Sequence, residues 1–194
     1  MLARFALSAA ALSALPLPLP ALAHPGHEGD VGSLVAGFAH PFCGIDHVLA
    51  MAAVGLWAAF LGGRALCIVP AAFVLSMVGG FAIAMAGLSL PAVEPGIAAS
   101  VLVFGVLLAA AIRLPLALSV LLVSLFAMLH GHAHGAEVSG NALTFSLGFI
   151  AATLLLHAAG IGLGRVMLQQ RLMLARGLGA VMAAVGLVLL GGLA

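Results

Sequence analysis

Lysine and tyrosine are missing altogether from this 194-residue chain, and charge of either sign is scarce, with six arginines, five carboxylates and only 6% charged residues in all. A soluble fold of this length needs a charged surface, so the shortage excludes an ordinary water-soluble domain. The scattered arginines and the net charge of +1 exclude a nucleic-acid binder, which would need clustered cations to neutralise phosphates. Without lysine there is no Gly-x-x-x-x-Gly-Lys phosphate loop, and ATP hydrolysis is not expected. Cysteine is limited to Cys43 and Cys67, which forms no disulfide framework; the two are expected near opposite faces of a membrane. What fills the chain instead is 65% hydrophobic residues, 25 glycines and a mean hydropathy of +1.35, the composition of a protein whose outside faces lipid.

Polar and proline residues punctuate the apolar sequence. Arg4, the apolar stretch Phe5 to Leu15 and the small-x-small Ala21-Leu22-Ala23 predict a signal peptide over residues 1–23, cleaved to leave His24 first. Pro16, Pro18 and Pro20 break that stretch before it could span a bilayer. Residues 24–194 then read as a single transmembrane domain. The apolar runs are Gly32 to Leu61, Leu66 to Leu88, Gly96 to Ile112, Leu114 to Leu129, Ala142 to Leu163 and Leu172 to Leu193. They predict an all-α polytopic membrane protein with about six transmembrane helices. The first run is too long for one span at ~1.5 Å per residue, and Pro41 and Gly44 predict a broken first helix with a full span from about Ile45.

Arg64, Arg113 and the group Arg165, Arg171 and Arg176 fall in alternate connections, which assigns those connections to the cytoplasm. The mature N-terminus and the C-terminus are then periplasmic, in a bacterial inner membrane. All five carboxylates, and every histidine except His157, fall toward the outer face. Gly131-x-x-x-Gly135 and Gly160-x-Gly162-x-Gly164 read as seams where helix backbones approach closely.

Ionisable residues at membrane depth are costly and point to function. His40, Asp46 and His47 form the first set. In a regular helix His40 and His47 would stand roughly 10.5 Å apart, but Pro41 and Gly44 permit a turn that folds His40 back, in the manner of discontinuous helices that form ion sites. The second set is His130, His134 and Glu137, which lie within about 60° of one another at roughly 100° per residue. His132 points the other way and is expected to be exposed. Two imidazoles at i and i+4 are a metal-binding spacing, and Gly131 and Gly135 are expected to admit the helix carrying Asp46 and His47. Imidazole with carboxylate suits Ni²⁺, Co²⁺ or Zn²⁺ and does not choose among them.

His40-Pro-Phe-Cys-Gly-Ile-Asp46-His47, followed by the apolar stretch to Trp57, resembles the signature of the HupE/UreJ family of nickel permeases. His130-Gly-His-Ala-His134-Gly-Ala-Glu137 is similar to that family's second motif, with Leu129 where the family usually has phenylalanine. The likeness runs over essentially the whole chain. It implies a permease that takes up Ni²⁺, with Co²⁺ as a second cargo, for nickel enzymes such as hydrogenase or urease, and with no permanently bound cofactor.

Secondary members of a metal path are His24 and His27 beside Glu28 at the mature N-terminus, Glu94 in an outer connection, Cys43 as a soft ligand, and His157 on the inner side of the fifth full-length run. Two rivals from other classes use the same residue types: an intramembrane zinc-dependent hydrolase and a bis-histidine haem protein.

Overall fold

A computed structural model describes residues 30–138 and 140–192; the expected signal peptide, His24, His27 and Glu28 lie outside the described residues. Every regular element among the described residues is helical. The helices are α1 (Asp30–Ala39), α2 (Ile45–Leu61), α3 (Ala65–Met85), α4 (Val93–Ala109), α5 (Leu116–Ala136), α6 (Ala142–Gln170) and α7 (Leu172–Gly192), with a 3₁₀ turn at His40–Cys43 between the first two.

The first apolar run is broken where its sequence predicts. Pro41 occupies the 3₁₀ turn and Gly44 is extended at φ −115° and ψ 124°, so α1 and α2 form one pair bent by 85°. Gly62 and Gly63, with φ of 73° and 52°, turn α2 into α3 through a left-handed conformation that other residues adopt only with strain. Pro115 precedes α5, and Asn141 caps α6 by accepting from the amides of Leu143 and Thr144 at 3.0 and 3.2 Å. Two elements run further than the apolar runs suggest. α5 continues through the histidine motif to Ala136, and α6 continues past Leu163 to Gln170, so Arg165 lies inside that helix.

α3, α5, α6 and α7 are each long and apolar enough to cross a bilayer, the bent α1–α2 pair passes as one unit, and α4 is apolar but only 17 residues long. Leu75, Leu121, Leu187 and Val188 stand exposed on the outer faces, as lipid contact allows, while Trp57, Phe73, Phe104 and Met77 fill the interior.

Lipid offers little hydrophobic drive between helices, so close backbone approach at small residues holds them together. A Cβ on Gly131 would overlap the Met77 carbonyl and one on Gly80 the Met128 carbonyl, which locks α3 to α5. Gly55 lies against the His157 carbonyl and Gly160 against that of Ala52, locking α2 to α6. The Gly131 and Gly135 stripe therefore receives α3, not the helix carrying Asp46 and His47 as the sequence suggests. That helix is set by α6 instead. Within the Gly160-x-Gly162-x-Gly164 seam only Gly160 and Gly164 face α2; Gly162 meets open space.

The two ends of the bundle differ in charge. Arg64 and Arg113 line one cavity with Leu61 and Leu116, and Arg176 donates from Nε to the Ala109 carbonyl at 2.8 Å. The histidine motifs lie at the opposite ends of the same helices.

Candidate metal centre

α5 supplies the centre of the site. His130 and His134 stand one turn apart on the same face and are buried, and the bend between α1 and α2 brings two further imidazoles against them. The His134 ring lies 4.7 Å from His40 and 4.6 Å from His47, centroid to centroid, and His47 lies 5.3 Å from His130. Glu137, just past the end of α5, faces His40 with Oε2 3.2 Å from Nε2. In the most compact group, His40, His134 and Glu137 each offer a ligand atom within 4.8 Å of the others.

Asp46 organises His47. Its Oδ1 accepts both the His47 backbone amide and the ring Nδ1–H, each at 2.9 Å. Gly44 makes room for this fold-back, because a Cβ there would stand 2.6 Å from Asp46 Oδ1 and 2.9 Å from His47 Nδ1. His130 Nδ1 lies 2.9 Å from the Phe126 carbonyl, which can only accept, so Nδ1 carries the proton and Nε2 keeps a lone pair. A ring fixed through one nitrogen with the other bare is how proteins present imidazole to a metal. The buried nitrogens with no hydrogen-bond partner among the described residues are Nε2 of His47 and His130 and both ring nitrogens of His134 and His157. An unsatisfied buried polar group costs about 1–3 kcal/mol, so these nitrogens are the feature of the cluster that packing alone leaves unexplained.

Exposure falls steadily along the string. Glu137 is 58% exposed, His40 32%, Asp46 25% and His47 14%, while His134 and His130 are buried. Phe149 closes one side at 4.2 Å from His134, stacked beside Phe145, and Phe73 packs on the inner side of His130 at 5.6 Å. These aromatic walls carry no signal in the sequence, since phenylalanine on a membrane helix is ordinary.

All six primary candidates thus come together, as a string centred on His134 rather than one cage. The secondary candidates divide. His157 is buried on α6 with its ring 4.9 Å from Phe73. Cys43 is exposed and its thiol donates to the Ala39 carbonyl at 3.6 Å, and Glu94 is exposed in the first turn of α4; neither joins the compact group. His132 corrects the sequence reading in another way. It does point away from the other imidazoles, but it is buried, with Nε2 2.8 Å from the Leu88 carbonyl and 3.2 Å from the Leu90 amide.

A bundle of apolar helices that gathers buried imidazoles behind an exposed carboxylate at one end has the build of a multi-pass membrane protein. The HupE / UreJ protein family model matches residues 12–189, and the chain belongs to that family. It is 48% identical over 154 residues to Protein HupE of Rhizobium leguminosarum bv. viciae, an alignment covering 78% of this chain and 80% of that one. No solved structure matches the chain.

Proposed function

We propose that this protein is an inner-membrane permease that carries a divalent transition metal, Ni²⁺ first and Co²⁺ second, from the periplasm into the cell for nickel enzymes. The observation that carries the reading is the graded string of side chains, from exposed Glu137 and His40 through His47 to buried His134 and His130, the last three keeping ring nitrogens with no hydrogen-bond partner among the described residues. A carboxylate at the mouth attracts the hydrated dication, and neutral imidazoles then replace its water as it moves inward. Asp46 holds the His47 ring in one orientation through Nδ1–H and offsets part of the cargo's charge at depth.

The arginine-bearing end faces the cytoplasm in this reading, by the positive-inside rule, so the histidine end and both mature termini are periplasmic. The α1–α2 pair and α4 count as full spans, giving six; at ~1.5 Å per residue α4 is somewhat shorter than the hydrocarbon core and is accommodated by local thinning. An inside-negative potential supplies roughly 4.6 kcal/mol per 100 mV to an entering dication, enough to drive uptake without ATP. A haem is disfavoured by packing, since the imidazoles pack against one another in edge and tilted arrangements and Phe145 and Phe149 fill the space beside them.

Cells carrying the chain should accumulate radiolabelled nickel saturably, with cobalt competing more strongly than zinc. Uptake indistinguishable from that of cells without the chain would end the proposal.

A further inference from the structure

Among the described residues, His157 is the buried ionisable group that neither the outer site nor a hydrogen bond accounts for. It is 1% exposed, and neither ring nitrogen has a hydrogen-bond partner among the described residues. A histidine kept only for packing would settle at least one nitrogen on a protein partner, such as a carbonyl of its own helix. Thr153, one turn away on α6, does so through its hydroxyl, which donates to the Phe149 carbonyl at 2.9 Å. His157 does not.

Its position is fixed from both sides. Gly55 of α2 packs on its carbonyl, so this is a point of closest approach between α2 and α6. Its ring meets the Phe73 ring edge to face at 4.9 Å, and the same phenylalanine ring lies 5.6 Å from that of His130. One aromatic ring therefore separates the innermost imidazole of the outer string from a further imidazole whose ring nitrogens have no hydrogen-bond partner among the described residues.

Resting on the permease reading, we infer that His157 is a separate inner station for the dication, the ligand that receives it from His130 as it passes Phe73. The outer string alone can bind a metal but offers it nothing on the way in. A bare dication crossing apolar core would face a large desolvation penalty. A second imidazole within reach of the same aromatic ring shortens that step, and two weak successive sites suit conduction better than one tight one.

The test separates binding from passage. His157→Leu fills similar space without a lone pair, and His157→Met restores a soft donor. Both are compared with the parental protein and with His130→Leu, each normalised to the amount folded in the membrane. Nickel uptake by His157→Leu should fall at least about tenfold, while Co²⁺ binding to the purified protein, read from its visible absorption, should stay within about twofold, as expected for an independent site. His157→Met should transport measurably better than His157→Leu. His130→Leu should lose both uptake and Co²⁺ affinity. Parental uptake in His157→Leu, or equal rates in the Leu and Met variants, would overturn the inner station while leaving the outer site standing. Co²⁺ affinity lost in parallel with uptake would instead place His157 in the outer site. A parental protein that moves no nickel would overturn the permease reading and the station with it.

Discussion

His134 is the imidazole on which the others converge, with the His40 and His47 rings 4.7 and 4.6 Å from its own. Those two partners belong to the first motif and His134 to the second, so a defect in either motif should disable the same path. Asp46→Asn and His134→Ala are each expected to lower nickel uptake ten- to hundredfold, roughly the cost of losing a ligand or the group that orients one. The double variant should be little worse than either single one, because residues acting as a unit are not additive. Uptake rates of the three, normalised to protein level, decide this; a double variant showing the product of two large single effects would mean two independent sites. His132 belongs to another category. Its hydrogen bond to Leu88 ties the α3–α4 connection to α5, so His132→Ala should cost about 1–3 kcal/mol of stability. A lower unfolding temperature in detergent with nickel affinity unchanged is the expected pair of results. The helical wheel separates His132 from His130 and His134 correctly, but it cannot tell a solvent-facing side chain from one facing a neighbouring loop.

Breaks between helices are legible wherever the chain carries its own punctuation. Pro41 with Gly44, Gly62 with Gly63, Pro115 and Asn141 all end or begin helices where the backbone chemistry requires it. Helix ends defined only by hydropathy are less legible. The apolar run before the second motif stops at Leu129 because histidine lowers the local average, yet backbone hydrogen bonding carries α5 on to Ala136. Neighbours are not legible at all, since a glycine stripe announces a close approach without naming the helix that makes it. Gly131 takes α3, and the triplet on α6 is only partly a seam. Gly160→Ala, whose Cβ would overlap the Ala52 carbonyl, should destabilise the folded protein by about 1–3 kcal/mol. Gly162→Ala, which meets open space, should be neutral or mildly stabilising. Denaturant unfolding of the two purified variants checks the contrast, and equal effects would contradict the assigned packing.

At the scale of the whole bundle, Arg64, Arg113 and Arg176 lie at the end opposite the ligand string. That separation turns the positive-inside rule into a direction of transport. In a variant lacking Cys43 and Cys67, a cysteine at Val138 should react with a membrane-impermeant maleimide added to intact cells, and one at Gln170 should react only after the membrane is opened. The opposite pattern would point the ligand string at the cytoplasm and reverse the proposed direction.

The central claim is that the imidazole string conducts a dication, and it is tested most directly with purified protein in liposomes under an imposed inside-negative potential, without ATP. The parental protein should accumulate radiolabelled nickel at a saturable rate that rises with the potential, and His134→Ala should reduce that rate at least about tenfold. Nickel accumulation that ignores the potential and persists at the parental rate in His134→Ala would contradict the account.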